Sequence, residues 1–274
     1  KQASHYAELA VTAADHDVGR LSTLIDRLNH LPKPAFEQFL QILSTPPISG
    51  LPEEERLSLW ERLTRFTKKH RRFSDTKWAL PDELISQLEE VAEKLAPADP
   101  FNRHKPLFSD RDYDLYEEGD NWAEQQETLE KRRGEAISEI FCQRGIQGVI
   151  QFAESVSSPF MVGRALDAVD DLDIERSLLP HFLCSESSRH KALASGFVWQ
   201  RCRSKGWDWC DSVDKSDWTP EQVGQFLACL PFTKEAWDRA SEWLGKQESE
   251  YWIRASANAY EADEDLAFAI EKLI

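Results

Sequence analysis

Apolar residues recur along most of this chain at intervals of three and four positions, the spacing that places side chains on one face of a helix. The apolar–polar alternation of strands is not sustained anywhere, and neither Asn-Gly nor Asp-Gly, two common hairpin dipeptides, occurs. Clear helical sets are Val18/Leu21/Ile25/Leu28, Phe36/Phe39/Leu40/Leu43, Leu84/Leu88/Val91/Leu95 and Val223/Phe226/Leu227/Leu230, and a long helix around 120–141 would place Trp122, Leu129, Ala136 and Ile140 on one side. The pattern predicts an all-α protein.

Proline, hydroxyl and acidic residues mark where several of these helices should begin. Thr219, Pro220 and Gln222 fit an N-cap, a first helical position and a reciprocal capping residue. Pro159 follows a serine in the same way, and Pro52 precedes glutamates suited to a first turn. Helices separated by such short breaks are typical of antiparallel helical hairpins. We therefore expect stacked antiparallel helical hairpins in an α-solenoid-like arrangement.

Composition divides the chain into an N-terminal helical block (1–96) and a C-terminal helical-repeat block (120–274). The stretch between them, 97–119, has several prolines and acids with weak periodicity, and it also contains Phe101, Phe108, Tyr113 and Tyr116. Exposing these aromatic rings to water would bring no gain in stability. We therefore expect 97–119 to be an ordered but irregular connector.

One predicted helix, running from Glu53 to Arg72, has two chemically distinct faces. At 100° per residue one side is formed by Leu59, Trp60, Leu63, Phe66 and Thr67, and the opposite side by Arg62, Arg65, Lys69 and Arg72, with Lys68 beside them. His70 projects among the apolar residues, which favours a packed histidine near the helix end. We refer to Arg62, Arg65, Lys69 and Arg72 as the cationic stripe.

Three interpretations of the cationic stripe are open. It could be a solvated face with pairing to nearby acids, an acceptor surface for an acidic segment such as 261–265 or a partner's, or a nucleic-acid site on the basic helix around 62–77. Like charges three and four positions apart repel, so four in a row favour an external counter-charge. The net charge of −16 makes nucleic acid the less favoured occupant.

Charge, hydropathy and cysteine usage together indicate a cytoplasmic protein. No apolar run approaches the roughly 18 residues of a membrane span, and no signal-peptide pattern opens the chain. The five cysteines are odd in number and widely spaced, as expected of free, mostly buried thiols in a reducing compartment. Because the chain starts at a lysine and ends within a helical pattern, we expect a piece of a larger protein.

Tryptophans concentrate at Trp207, Trp209 and Trp218. Aromatic clusters can bind quaternary ammonium groups or stacked bases, which makes Trp207 and Trp209 candidate binding residues. The alternative is that these rings pack helices against one another. The sequence leaves both open.

No recognisable motif points to catalysis, a metal or a cofactor. His16-Asp17 has no companion ligands at the spacing of a metal-dependent phosphohydrolase, and the acids between Asp167 and Glu175 do not follow a calcium-loop pattern. These residues fit a helix entry and a solvated capping turn. GxxxxGK[ST], GxSxG, GxGxxG and HExxH are also missing from the sequence. The sequence predicts no enzyme activity for the chain itself.

The segment from Trp237 to Leu273, with Leu244-Gly245 and Tyr251-Trp252, resembles the degenerate α-helical repeats, similar to tetratricopeptide or HEAT repeats, of large bacterial multidomain signal-transduction ATPases and anti-phage defence proteins. A strict tetratricopeptide pattern would have tryptophan at Ser241 and tyrosine at Glu248. The resemblance implies a scaffold or sensor region and assigns no catalytic residue.

Together these observations predict a protein-interaction or sensor scaffold module of a larger bacterial cytoplasmic protein, non-catalytic by itself. Its partner would be another protein or other domains of the same chain, without membrane contact and without a cofactor. The alternative is a nucleic-acid-binding helical module that uses the basic helix.

Overall fold

The computed structural model describes residues 2–109, 121–258 and 266–273, and this part of the chain is helical throughout, with no strand. The first helices are α1 (Gln2–Ala14), α2 (Val18–Ile25), α3 (Lys33–Leu43), α4 (Pro46–Ser49), α5 (Glu53–Arg72), α6 (Asp82–Leu95) and α7 (Pro100–His104). They are followed by α8 (Trp122–Ser155), α9 (Pro159–Ala165), α10 (Leu172–Leu178), α11 (Ser188–Ser212), α12 (Pro220–Ala228), α13 (Lys234–Leu244), α14 (Ser249–Trp252) and α15 (Leu266–Leu273). The prediction of an all-α protein is confirmed.

The predicted helix starts are also confirmed. The helix that carries the cationic stripe begins at Glu53 and ends at Arg72, and α9 begins at Pro159. At α12 the Thr219 hydroxyl accepts from the Gln222 N–H while the Gln222 side chain accepts from the Thr219 N–H. Such reciprocal caps satisfy backbone donors that the first turn leaves without intrahelical partners.

The chain folds into two compact units. The first unit contains the chain up to Arg103 and the beginning of α8, up to Gln126. The second unit contains the short stretch that begins at His104 and the rest of the chain from Glu127 onward. Of the predicted connector 97–119, residues 97–109 include α7 and a 3₁₀ turn at Lys105–Phe108. Residues 110–119, like the acidic stretch 261–265, lie outside the described residues.

The core of the first unit forms where α5 packs against α2 and α6, and α3 against α1 and α6. The apolar side of α5 is buried at Leu59, Trp60, Leu63 and Thr67, as its periodicity predicts. Arg71 fixes α6 by donating to both carboxylate oxygens of Glu89, at 3.2 and 2.9 Å, and to Asp82 at 3.0 Å. α5 is therefore held with its opposite, cationic side outward.

One residue predicted for the buried side of α8 is not buried. Leu129, Ala136 and Ile140 are in the core, but the Trp122 ring is 62% exposed. The reason is position, because Trp122 is the first residue of α8, and no residue of that helix before Leu129 is buried. Helical periodicity gives the direction of a side chain but not where along the helix a covering neighbour begins.

Sharp bends interrupt α8 and α11 at single glycines. Gly145 has φ 63° and ψ −168°, and Gly206 has φ 72° and ψ −170°. This backbone region is essentially restricted to glycine, because a Cβ atom strains it. Each bend ends one helical segment and starts another within the same element.

The two bends belong to a longer correspondence within the second unit. Residues that match in type lie 61 positions apart, at Gly145/Gly206, Pro159/Pro220, Val162/Val223, Gly163/Gly224, Leu166/Leu227 and Leu183/Leu244. The element order also matches: a bent helix is followed by a proline-initiated helix and then by a further helix. The same succession of elements therefore occurs twice along the chain.

Contacts between helices occur at matching positions. A Cβ atom placed on Gly134 of α8 would lie 2.9 Å from the Ala168 Cβ, just after α9. At the positions 61 residues later, the Cys229 thiol lies 3.3 Å from the Ser195 hydroxyl, joining α12 to α11. In both places the bent helix contacts the chain just after the proline-initiated helix that follows it.

Each proline-initiated helix also contacts, through a glycine, the second helix that follows it along the chain. A Cβ on Gly163 of α9 would lie 2.0 Å from the Leu193 carbonyl oxygen of α11, and one on Gly224 of α12 would lie 2.5 Å from the Glu250 carbonyl oxygen of α14. Such distances admit no side chain, so the helices approach backbone to backbone. α9 therefore packs closely against α11, and α12 against α14.

Candidate functional site

The cationic stripe is not uniform, because one of its members is neutralised within the chain. Arg62 donates from Nε and Nη2 to the two carboxylate oxygens of Asp26, at 3.1 and 2.6 Å. This hydrogen bonding lowers the pKa of Asp26 and raises that of Arg62. Arg62 thus joins α5 to the end of α2 and carries its own counter-ion.

Arg65 and Lys69 are exposed and lie one turn apart on α5. Within the described part of the chain Arg65 makes no hydrogen bond or ion pair, although its charge helps to lower the pKa of Asp26. The Lys69 ammonium lies 5.5 Å from the centre of the Trp78 ring, and the Arg72 guanidinium lies 5.6 Å from the Phe73 ring. Lys69 and Arg72 thus lie near aromatic rings, whereas Arg62 is bound to a carboxylate.

A groove of about 600 Å³ runs beside these residues. Arg62, Arg65 and Lys69 line one part of it, the rings of Phe66, His70 and Trp78 line another, and the residues that end α2 and follow it complete it, namely Asp26, Asn29 and His30. Asp26 is the acidic member of this lining and is already bound to Arg62. We call this feature the α5 groove.

His70 builds the aromatic wall of the α5 groove. It is buried, 3% exposed, as the sequence predicts, and its Nδ1 accepts a hydrogen bond from the Leu80 N–H at 3.0 Å. Burial lowers the pKa of His70, so the ring is neutral at pH 7 with its proton on Nε2. The His70 ring lies 4.1 Å from Phe66 and edge-on to Trp78 at 5.1 Å, so it fixes the turn that carries Trp78.

Trp78 belongs to the groove although sequence reasoning did not select it as a site residue. α5 ends at Arg72, so residues 73–77 of the predicted basic region lie in the following turn, which folds back and returns the indole to Lys69. Phe73 and Trp78 are 41% and 40% exposed, and their rings lie 5.7 Å apart. The available signal was two large aromatic residues in a short polar turn beside a cationic helix.

The tryptophans of the second unit have separate partners within the chain. Trp209 is 7% exposed, and its Nε1 donates to Glu175 at 2.7 Å. Trp207 lies under the Arg239 guanidinium at 4.4 Å, and Arg239 donates twice to Asp211, at 2.7 Å each. Trp209 thus contributes to the core, whereas Trp207 and Trp218 are partly exposed.

Lys215 closes the end of α11 beside these tryptophans. Its ammonium donates to the carbonyl oxygens of Cys210 and Val213, at 2.7 and 2.6 Å, and lies 4.3 Å from the Trp243 ring. Burial lowers the pKa of Lys215. The place that a bound ammonium ligand would take above an indole is occupied by the chain's own lysine.

The remaining candidate residues have structural contacts. The Asp17 carboxylate caps α2 by accepting from the Arg20 N–H, and Asp171 caps α10 in a similar way. Asp167 pairs with the buried Arg201 at 3.1 Å, which departs from the predicted solvated turn. The part of the chain that the structure describes contains no cluster of three or more possible metal ligands and no helix able to cross a membrane.

All five cysteines are free thiols. Cys202 and Cys210 are buried, Cys184 and Cys229 are partly buried, and Cys142 is exposed. Cys202 and Cys210 lie on either side of Gly206, and interaction with the Cys202 thiol, together with burial, raises the pKa of Cys210.

The chain matches no protein-family model, no curated protein and no solved structure. The functional assignment therefore rests on the geometry of the described residues. Among their surfaces the α5 groove combines unneutralised cations, exposed aromatic rings and a concave shape.

Proposed function

We propose that this chain is a non-catalytic protein-interaction module that receives an acidic protein segment in the α5 groove. The observation that carries the proposal is the pair Arg65 and Lys69, which lack a carboxylate partner within the described residues although the chain has a net charge of −16. A chain with this excess of acids could neutralise them internally, as it does at Arg62 and Arg71. Leaving two cations beside a groove favours an acidic occupant.

The helical architecture supports a scaffold role for the module. Its support is the close packing of α9 against α11 and of α12 against α14, since in stacked helical repeats each unit contacts its neighbours. We propose that the second unit is such a stack, related in kind to tetratricopeptide- or HEAT-like regions. A scaffold or sensor region of a large bacterial cytoplasmic signalling or anti-phage defence protein fits this arrangement.

Single-stranded nucleic acid is the second candidate occupant. The exposed indole of Trp78 beside Lys69 favours it, because bases stack on aromatic side chains next to cations. The phosphate backbone of a nucleic acid would, however, extend from the groove along a chain whose net charge is −16. The strength of its binding depends on how many cations it contacts. A short acidic segment needs only the two cations of the groove.

Binding of labelled probes to the purified chain tests the proposal. The probes are a fluorescein-labelled synthetic peptide rich in aspartate and glutamate and a labelled single-stranded DNA oligonucleotide, followed by fluorescence anisotropy. We expect the peptide to bind, and the double variant Arg65→Glu/Lys69→Glu to weaken it by about tenfold or more.

The matched control is Lys131→Glu/Lys246→Glu, which makes the same change in net charge at exposed lysines outside the groove. It should bind the peptide almost as the parent does. Equal losses in both double variants, or no binding of the peptide to the parent, would overturn the proposal. DNA binding that exceeds peptide binding and depends on Arg65 and Lys69 would replace it with the second candidate.

A further inference from the structure

We infer that the α5 groove recognises an acidic segment that also carries an aromatic side chain, with the ring received by Phe66, His70 and Trp78 and the acids by Arg65 and Lys69. This inference rests on the proposed function and specifies the chemistry of its partner. It assigns a binding role to Trp78 in addition to the cations.

The aromatic half of the groove supplies the first argument. Phe66, His70 and Trp78, which line the groove, form a continuous series of rings with Phe73 beside them, with centre-to-centre distances of 4.1, 5.1 and 5.7 Å between successive members. The last two expose about two-fifths of their surface, which is unfavourable in water for rings of this size. An incoming aromatic side chain would extend the series and cover that surface.

The arrangement of charge supplies the second argument. Lys69 lies over the Trp78 ring, so a carboxylate that reaches Lys69 comes close to any ring placed on Trp78. Arg65 lies one helical turn earlier, on the same side of α5, with Cβ atoms about 6 Å apart at this spacing. Acidic residues within a few positions of an aromatic residue can therefore reach both cations at once.

The size of the groove supplies the third argument. Its volume of about 600 Å³ lies within the range of sites that enclose a small ligand, and it exceeds what one carboxylate requires. It has room for one large side chain with the flanking residues of a peptide. Two free carboxylate side chains alone would leave the aromatic wall uncovered.

The test compares twin peptides that differ in one residue. One labelled peptide has a tryptophan within a short run of acidic residues, and its twin has alanine in place of that tryptophan, with the same charge. We expect the tryptophan peptide to bind the parent chain about three- to tenfold more tightly, the range expected for an aromatic pair. Trp78→Ala should remove this difference, and Trp78→Phe should retain most of it.

Trp122→Ala is the matched control, because Trp122 is also an exposed tryptophan but lies outside the groove. It should leave the difference between the twins unchanged, and thermal melting should show that every variant is folded. If the twins bind the parent equally, with binding still dependent on Arg65 and Lys69, the aromatic inference is wrong and the proposed function stands. If neither twin binds, the proposed function itself fails.

Discussion

The α5 groove and the tryptophan-rich segment 207–218 contain the same ingredients, cationic side chains against indole rings, in different surroundings. Around segment 207–218 the two cations that lie over indole rings, Lys215 within the segment and Arg239 from α13, each also have an internal electron-rich partner. Arg239 has the Asp211 carboxylate, and Lys215 has two carbonyl oxygens. In the α5 groove Arg65 has no such hydrogen bond within the described residues, and Lys69 faces an indole that is 40% exposed.

The two regions contain the same kinds of side chain. What distinguishes the structural cluster from the candidate binding site is whether the cations are hydrogen-bonded within the chain. Cations with complete internal partners gain little from an external ligand, because binding would first break existing bonds. Cations hydrated at a groove can exchange water for a carboxylate. Substitutions in segment 207–218 should therefore affect stability, and those in the α5 groove should affect binding.

The largest expected effect comes from truncating the buried indole. Trp209→Ala removes a core side chain and leaves Glu175 without its indole donor, so we expect a loss of about 3–5 kcal/mol in the free energy of unfolding. Trp78→Ala should cost about 1 kcal/mol or less, because its ring is partly exposed. Urea denaturation of both variants measures the two costs, and similar values would contradict the distinction.

The bend that precedes Trp207 should give the next largest effect. Gly206→Ala places a Cβ on a backbone at φ 72° and ψ −170°, which we expect to cost about 1–3 kcal/mol. No neighbouring atom would crowd that Cβ, so the cost would be conformational. Gly19→Ala, in helix α2, is the control: its Cβ would lie 3.3 Å from the Asp17 side-chain oxygen on ordinary helical backbone, and the change in free energy should be about 1 kcal/mol or less. Equal urea midpoints for the two variants would refute the assignment of strain to Gly206.

Matched arginine substitutions compare the two regions directly. Arg239→Gln removes a bidentate ion pair and uncovers Trp207, so a loss of about 1–2 kcal/mol is expected. Arg65→Gln should change the free energy of unfolding by about 0.5 kcal/mol or less, while weakening the binding of the acidic peptide. Thermal melting and anisotropy on the same preparations supply both readouts. A large stability loss in Arg65→Gln would show that Arg65 is a structural residue.

The smallest expected effect concerns the two half-exposed aspartates that pair with arginine. Hydrogen bonds from Arg62 and Arg239 lower the pKa values of Asp26 and Asp211 below the ordinary 3.8. A lowered folded-state pKa stabilises the fold above the unfolded value, and this stability is lost as the pH falls through the folded value. Asp26→Asn and Asp211→Asn should each cost about 0.2–1 kcal/mol at pH 7 and progressively less at an acidic pH below 3.8. Urea titrations at both pH values measure this, and a cost that persists in acid would indicate a different cause.

Local sequence patterns predicted much of the fold because helices are stabilised by local features. Periodicity and capping residues were sufficient for α5 from Glu53 to Arg72 and for the capping box at Thr219. The bends were missed, because a glycine inside an apolar pattern can be tolerated within a helix or can end it. The 61-residue correspondence was missed because it is concentrated at a few contact positions, such as Gly163 and Gly224.

The candidate site could be predicted only in part, for a physical reason. Helical projection identified the cationic side of α5, since that depends on local geometry alone. It did not show that Asp26, 36 positions earlier, neutralises Arg62, nor that a turn returns Trp78 to Lys69. These are tertiary contacts, which depend on how separate helices pack.

The 61-residue offset has a genetic consequence. If the gene stretches that encode Gly145 and Gly206 align during recombination, an unequal crossover deletes or duplicates the 61 codons that separate the two glycines. The rejoined chain keeps glycine at the bend, and it still places a proline-initiated helix after it. The contact that spans the join is the one between Gly134 and Ala168, whose counterpart 61 positions later is the contact between Ser195 and Cys229. Such an exchange would therefore lengthen or shorten the chain by one whole succession of these elements and keep the reading frame.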